Sequence, residues 1–404
     1  MNSKPLTGIR ILDLSRILAG PWCSQHLADL GAEVIKVEHP VRGDDTRHWG
    51  PPWLEGEGEA AYFLSANRGK QSVAVDIAKP EGQAIVQALA KQCDVVLENF
   101  KVGGLKAYGL DYASLKAINP GLIYCSITGF GQDGPYAHRA GYDFMIQGMG
   151  GLMSLTGLPD DQPGGGPMKV GVAVTDLFTG MYAGTAILGA LFQRERSGEG
   201  THIDLALLDV QVGVLANQAL NYLVSGQPPG RMGNAHPNIV PYQAFATEDG
   251  HVILAVGNDS QFRQFCRVAG QEALADDPRF ATNRERVTHR DALLAILEPL
   301  MQSRTSQAWL DGLEKASVPC GPINKLDAVF DDPQVRHRGM RLHQDHPQTA
   351  DLNLVGNPVR YDGQPQNADT PPPLLGQHTD EVLGELLGYT SDEMAALRER
   401  GVIR

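Results

Sequence analysis

The sequence predicts an α/β protein built on a doubly wound parallel sheet, with a second, smaller α+β domain. Three observations carry that reading. Short runs rich in buried-type apolar residues alternate with helix-patterned stretches over the first 130 residues. Such alternation implies right-handed crossovers and a parallel sheet. A Gly/Pro-rich stretch at 226–241 then precedes a segment with a hairpin signature.

The elements follow in chain order. IRILDL (9–14) reads as a buried strand, with a helix after AGP through about Leu30. EVIKVE (33–38) and QSVAVDI (71–77) read as the second and third strands. Pro80 sits at a helix start, and EGQAIVQALAKQC continues with helical apolar spacing. DVVLENF (94–100) and GLIYCSITGF (121–130) supply further strands. After the loop TGLPDDQPGGGP (156–167), a long helix begins near Asp176 and ends in QRERSGEG. YQAFATEDGHVILAVG (242–257) reads as a hairpin around Glu248, Asp249 and Gly250, with amphipathic helices to about residue 330. The expected division is 1–225 for the N-terminal part of a large domain and 226–330 for a linker and small α+β domain; 331–404 is a C-terminal segment ending in a Pro-anchored helix.

Composition narrows the function. A formal charge of −13 argues against a nucleic-acid partner, which would call for a basic patch, yet local Lys and Arg can still hold an anionic small ligand. Five dispersed cysteines form no CxxC pair, which points away from zinc or a disulfide framework and towards a reducing, cytoplasmic setting. The opening MNSKPLTGIRILDL runs into a strand-like segment with no signal-peptide pattern. Val170–Phe192 and Leu205–Val224 are long and apolar, but Asp176 and Asp209 inside them favour core helices over membrane spans.

Familiar site motifs are missing. Neither GxGxxG nor a P-loop follows the first strand, where the turn is SRILAGP. There is no GxSxG elbow, and the twelve histidines show no metal-ligand spacing. What stands out is Asp176, alone in the otherwise uncharged GVAVTDLFTGMYAG (171–184). It fits a helix N-cap. A carboxylate at a helix N-terminus is equally a competent nucleophile towards an acyl group, kept ionised by the helix end while burial strips its water.

RILAGP (16–21), EVIKVEHPVRGDDTR (33–47), NRGKQS (67–72), LENFKVG (97–103), RAGYD (139–143) and LLGQHT (374–379) fall at strand ends or in the loops after strands, where open parallel sheets bind ligands. In this order, over nearly the whole chain, they resemble the Family III CoA-transferases, a group that includes formyl-CoA transferase and α-methylacyl-CoA racemase. GDDTRHWGPPW (43–53), IVPYQAF (239–245), CGPIN (320–324) and PPPLLGQHT (371–379) resemble the succinyl-CoA:glutarate (hydroxymethylglutarate) branch.

The resemblance implies a Rossmann-like large domain built from both chain ends, residues 331–404 returning to it, and an interlocked homodimer. It implies that Asp176 is the nucleophile and that coenzyme A enters as a substrate, in acyl-CoA form, with small carboxylic acids and no metal. Arg16, Leu18 and Ala19 would contact CoA, with Asn99, Phe100 and Lys101 near its nucleotide or pantetheine. Arg139, Tyr142 and Asp143 would line the pantetheine channel and the mouth of the site. For the distal carboxylate of a dicarboxylic acceptor the candidates are Arg47, His48, Arg139 and His236. Some positions depart from the pattern. His39 replaces an Arg of formyl-CoA transferase that contacts CoA, and Ala107, beside Lys106, replaces a polar contact. The glycine-rich flap of formyl-CoA transferase is missing, GNDSQF (257–262) near that region being a poor substitute, which disfavours oxalate. Tyr142 occupies the place of the racemase's catalytic His, leaving α-proton exchange short of a base. The alternatives are a racemase of the same fold and a CoA-binding protein without turnover.

Overall fold

In the computed structural model, which describes residues 4–54 and 58–404, the alternation becomes six parallel strands. They are β1 (Arg10–Asp13), β2 (Glu33–Glu38), β3 (Lys70–Ala74), β4 (Val95–Glu98), β5 (Ile123–Thr128) and β6 (His202–Ala206). Their order across the sheet is β3-β2-β1-β4-β5-β6, every neighbouring pair parallel. The strand order therefore reverses between β1 and β4, and the crevice outside their carboxyl ends is where such a sheet takes a ligand.

Side chains alternate between the two faces, as the pleat requires. Leu12, Ile35, Val73, Val96 and Tyr124 face one core, covered by the helix Pro80–Lys91 and by Val382, Leu383, Met394 and Leu397 from the last two helices. Ile11, Val34, Val95, Leu97, Ile123 and Cys125 face the other, covered by the helices Ala19–Asp29 and Val174–Ser197. The C-terminal chain also bonds to β3: Ala74 N–H donates to Thr379 Oγ1 at 3.0 Å.

The chain divides into two compact units. One holds the residues up to Leu152, Lys169–Gln227 and Pro333–Arg404; the other holds Met153–Met168 and Pro228–Asp332. The stretch 156–167, read from the sequence as a loop within the first part, falls in Met153–Met168 and groups with the second unit. That unit has its own antiparallel sheet, β7 (Tyr242–Ala246), β8 (His251–Ala255) and β9 (Cys320–Pro322), over a core that includes Phe245, Leu254, Phe262, Phe265 and Trp309. Its hairpin turns at Glu248–Gly250, where Thr247 N–H donates to Gly250 O at 2.9 Å.

The two long apolar segments behave differently from each other. Val174–Ser197 is one 24-residue helix, long and apolar enough to cross a membrane by composition. It lays Thr179, Ala183, Ile187 and Leu191 onto the sheet core and leaves Phe178, Tyr182, Leu188 and Phe192 outward, so it is a core helix on one face only. Leu205–Val224 is no continuous helix. It breaks at Ala216, whose φ of +46° separates Leu207–Gly213 from Ala216–Ser225.

Candidate active site

The turn after β1 is held in a strained form. Ile17 has φ +73°, a region that β-branched residues avoid. Its N–H reaches both carboxylate oxygens of Asp44, at 3.3 and 3.2 Å. Asn99, just after β4, brackets the neighbouring peptide: Arg16 N–H donates to its Oδ1 at 2.9 Å, and its Nδ2 donates to Arg16 O at 2.7 Å. Beneath the turn, Lys36 Nζ donates to Asp44 Oδ2 and to Ser15 O, both at 2.9 Å, with no exposed surface on either charged side chain. Burial works against the Asp44 charge, but Lys36 and the Thr46 N–H outweigh it and hold the carboxyl at about 2. Gly20 is obligatory, because a Cβ there would lie 2.2 Å from Ser15 Oγ. Across β4, Glu98 Oε2 accepts the Phe100 N–H at 2.7 Å and fixes the loop carrying Phe100 and Lys101, while burial pushes the Glu98 carboxyl up to about 7.

These two loops wall a cavity of about 410 Å³. It brings together Arg16, Leu18, Ala19, Asn99, Phe100, Lys101, Arg139, Tyr142 and Asp176, residues spread over 160 positions of sequence. Arg16 pairs with Asp45 at 2.7 Å, and the Arg139 guanidinium lies 4.6 Å over the Tyr136 ring and 5.1 Å over Phe130. Gly129 and Gly141 form part of the wall by backbone contact; a Cβ on Gly141 would meet Gly129 Cα at 2.3 Å. Gly129 and Leu207 also line the cavity, without a sequence signal of their own; Ile17 and Gly141 line it too, inside the stretches RILAGP and RAGYD.

Asp176 is the third residue of its helix; Ala173 holds the N-cap position and makes no side-chain bond there. The cap comes instead from Asp143, at the start of the helix Asp143–Met149. Its Oδ1 accepts the N–H groups of Thr175 at 2.8 Å and Asp176 at 3.3 Å, and its Oδ2 accepts Gln147 Nε2 at 2.7 Å. Thr175 Oγ1 in turn donates to Gln211 Oε1 at 2.6 Å, and Thr175, Gln147 and Gln211 are closed to solvent. Asp143 does not line this cavity, and its side chain serves the helix end. The electrostatics of Asp176 also differ from expectation. Burial pushes its carboxyl up to about 7, with the charge of Asp143 adding to the rise, so the helix end does not keep it a weak base.

Arg47 and His48 are not among the residues lining this cavity. Arg47 is 6% exposed and fully engaged: Nε and Nη2 donate to Glu38 at 2.8 Å each, and Nη1 donates to Glu59 at 2.6 Å. It is no free pocket cation, because two carboxylates already neutralise it. His48 is exposed and bonds through Nε2 to Arg42 O at 2.8 Å. His236 belongs to the second unit, where its Nδ1 accepts the Asn238 N–H at 3.1 Å. Burial, with Arg290 nearby, lowers its pKa.

A carboxylate of raised basicity, facing a cavity with cations at its rim, suits an enzyme that passes acyl groups through a side-chain carboxylate. Residues 6–379 match the family model CoA-transferase family III, and the chain belongs to that family. It is 53% identical over 386 residues to the succinate–glutarate CoA-transferase of Agrobacterium fabrum, covering 95% of this chain and 96% of the relative. It is 45% identical over 402 residues to the succinyl-CoA:glutarate CoA-transferase of Homo sapiens, covering 100% and 90%. Among solved structures, a CAIB/BAIF family protein from Brucella suis matches with a TM-score of 0.83 at 53% identity, over 95% of this chain and all of that one.

Proposed function

We propose that this CoA-transferase moves CoA from succinyl-CoA to a dicarboxylic acid of glutarate type, with Asp176 as the covalent carrier. The single observation carrying the mechanism is the position of Asp176 on the cavity wall, with its carboxyl pushed up to about 7 by burial and Asp143. An Asp176 oxygen attacks the thioester carbonyl, the C–S bond breaks, and the electron pair leaves on the CoA sulfur, giving a mixed anhydride. The thiolate attacks the aspartyl carbonyl, releases succinate and leaves an aspartyl-CoA thioester. The acceptor carboxylate attacks that thioester and forms a second anhydride, from which the thiolate collects the new acyl group and frees Asp176. Thioester energy is retained throughout, so the cycle needs neither ATP nor metal.

Arg16, Leu18, Ala19, Asn99, Phe100, Lys101 and Tyr142 line the CoA path in this reading, and the names of the relatives support the choice of donor and acceptor. With Arg47 neutralised, Arg139 is the cation left for the acceptor's distal carboxylate. The working form is an interlocked homodimer in the cytoplasm. The outward stripe of Phe178, Met181, Tyr182, Leu188 and Phe192, each between 38% and 61% exposed, supports a second copy as its cover. Incubation with succinyl-CoA and glutarate, with mass detection of glutaryl-CoA, tests the function; no new thioester across C4 to C6 dicarboxylates overturns it.

A further inference from the structure

Two carboxylates share one helix N-terminus, and only one of them takes its donors. Asp143 accepts the N–H groups of Thr175 and Asp176, and the buried Gln147 holds its other oxygen. Among the described residues no donor lies on the Asp176 carboxylate, although Asp176 is on the same helix turn. N–H groups at a helix N-terminus stabilise an anion and make it a weaker base. We propose that Asp143 is a positioning residue for acyl transfer: by taking the helix-end donors it fixes Asp176 in place while leaving its carboxylate unsatisfied and nucleophilic.

The proposal rests on Asp176 being the covalent carrier. When an Asp176 oxygen bonds to the thioester carbon and the C–S bond breaks, the negative charge leaves the side chain with the CoA sulfur. One of two like charges at the helix end is thereby removed, so the charge of Asp143 favours acylation over the free carboxylate. The remaining charged groups facing Asp176 across the cavity are Arg16, Lys101 and Arg139. Tyr62 also lies within its field: burial raises the hydroxyl, and Asp176 and Asp143 raise it further. The raised basicity of Asp176, from burial first and Asp143 second, agrees with this division of labour.

Asp143→Asn keeps an oxygen for the Thr175 N–H and removes the charge. Steady-state rates with succinyl-CoA and glutarate across the pH range, beside hydroxylamine trapping of the wild type, read the result. The expected outcome is a kcat lower by at least about tenfold, with KM for succinyl-CoA changed less than about threefold. The acidic limb of kcat/KM should also move down by about one pH unit. A raised KM with kcat and limb unchanged overturns the proposal in favour of direct contact with CoA. An unaltered profile overturns it outright. If Asp143→Asn fails to fold, Gln147→Met is read instead: it removes the donor holding Asp143, and kcat should fall while KM for succinyl-CoA stays. Wild-type kcat in that variant overturns the proposal. Absence of an Asp176 hydroxamate in the wild type overturns the nucleophile assignment itself, an outcome distinct from the others.

Discussion

Arg47 and Glu38 are joined by two parallel hydrogen bonds of 2.8 Å each, in a site almost closed to solvent, and Glu59 takes the third arm of the same guanidinium at 2.6 Å. The Arg47 side chain also lies 3.6 Å over the Phe63 ring. A cation so engaged anchors the carboxyl end of β2, and breaking the cluster should be felt in stability before specificity.

Arg47→Ala removes the ion-pair partner of the buried Glu38, which keeps, among the described residues, only the Asp44 N–H and the Ser72 hydroxyl as donors, and breaking such a buried pair costs about 3–5 kcal/mol. The pH dependence gives a sharper check. Burial alone would raise the Glu38 carboxyl, but the Arg47 bonds and charge outweigh it, so its folded value lies below its ordinary 4.5. A depressed carboxyl stabilises above its unfolded value and loses that stability as pH falls through the folded value. In Arg47→Ala the largest of those opposing contributions is gone and the Lys36 charge and the Ser72 hydroxyl remain against burial, so the stability that the charged Glu38 gives above about 4.5 is reduced. The Tm gap between wild type and Arg47→Ala is therefore expected to be wide at pH 7 and to narrow on acidification below that value. A constant gap across the range disproves the role given to this pair.

Asp176 carries the opposite sign. Its carboxyl is raised from 3.8 to about 7, so the folded protein pays for this charge as pH climbs from the lower value through the upper. Asp176→Asn should equal or exceed the wild type in Tm at pH 8, and the advantage should vanish near pH 4, which thermal melts at both values will read. Activity should move the other way. Asp176→Ala loses at least about 3 orders of magnitude in kcat, about 4 kcal/mol of barrier. Wild-type kcat/KM should rise through an acidic limb near 7 as the nucleophile ionises. Succinyl-CoA with hydroxylamine should convert Asp176 alone to a hydroxamate; a label spread over several residues counts against the covalent cycle.

The wall between Gly129 and Gly141 has no room for a methyl group. A Cβ on Gly141 would sit 2.3 Å from Gly129 Cα and one on Gly129 would sit 2.6 Å from Gly141 Cα, backbone against backbone. Gly141→Ala must separate the loops at the mouth of the cavity, at about 1–3 kcal/mol. Tyr142 and Arg139 flank it, so KM for succinyl-CoA should rise by several-fold while the second unit melts unchanged. Kinetics indistinguishable from wild type would show that the cavity mouth does not depend on this contact.

The sheet was legible because its strands announce themselves locally. EVIKVE forms β2 over the same six residues, and the ionic side chains inside it, Lys36 and Glu38, find buried partners in Asp44 and Arg47. The Pro80 helix start likewise matches the observed helix Pro80–Lys91. What escaped was long-range. The donors at the start of the Asp176 helix go to a residue 32 positions earlier, so no local pattern marks Asp143 as the cap. The ribbon Arg341–His346 with Thr349–Val355 also went unread, because its short alternating strands carry many charged and amide side chains. Arg47 was misplaced for a related reason. A sequence displays the charge but not the two carboxylates folded against it.

Acceptor choice gives the last test. With Arg47 neutralised, Arg139 is an exposed guanidinium on the cavity, stacked on Tyr136 and Phe130 and free of any salt bridge among the described residues. A dicarboxylate bound there pairs its distal charge with that guanidinium, whereas valerate leaves the group unpaired within the complex. Where the bound substrates cover that guanidinium, an unpaired buried donor costs roughly 1–3 kcal/mol, and more if charged. Since each 1.4 kcal/mol is a factor of about ten, glutarate should exceed valerate by at least about tenfold in kcat/KM. Arg139→Ala should bring that ratio down towards one, chiefly by weakening glutarate, while Arg47→Ala, measured at a temperature where it remains folded, should leave the ratio standing. Equal rates for the two acids in the wild type would refute the dicarboxylate assignment, and a ratio insensitive to Arg139 would move the distal-carboxylate site elsewhere in the cavity.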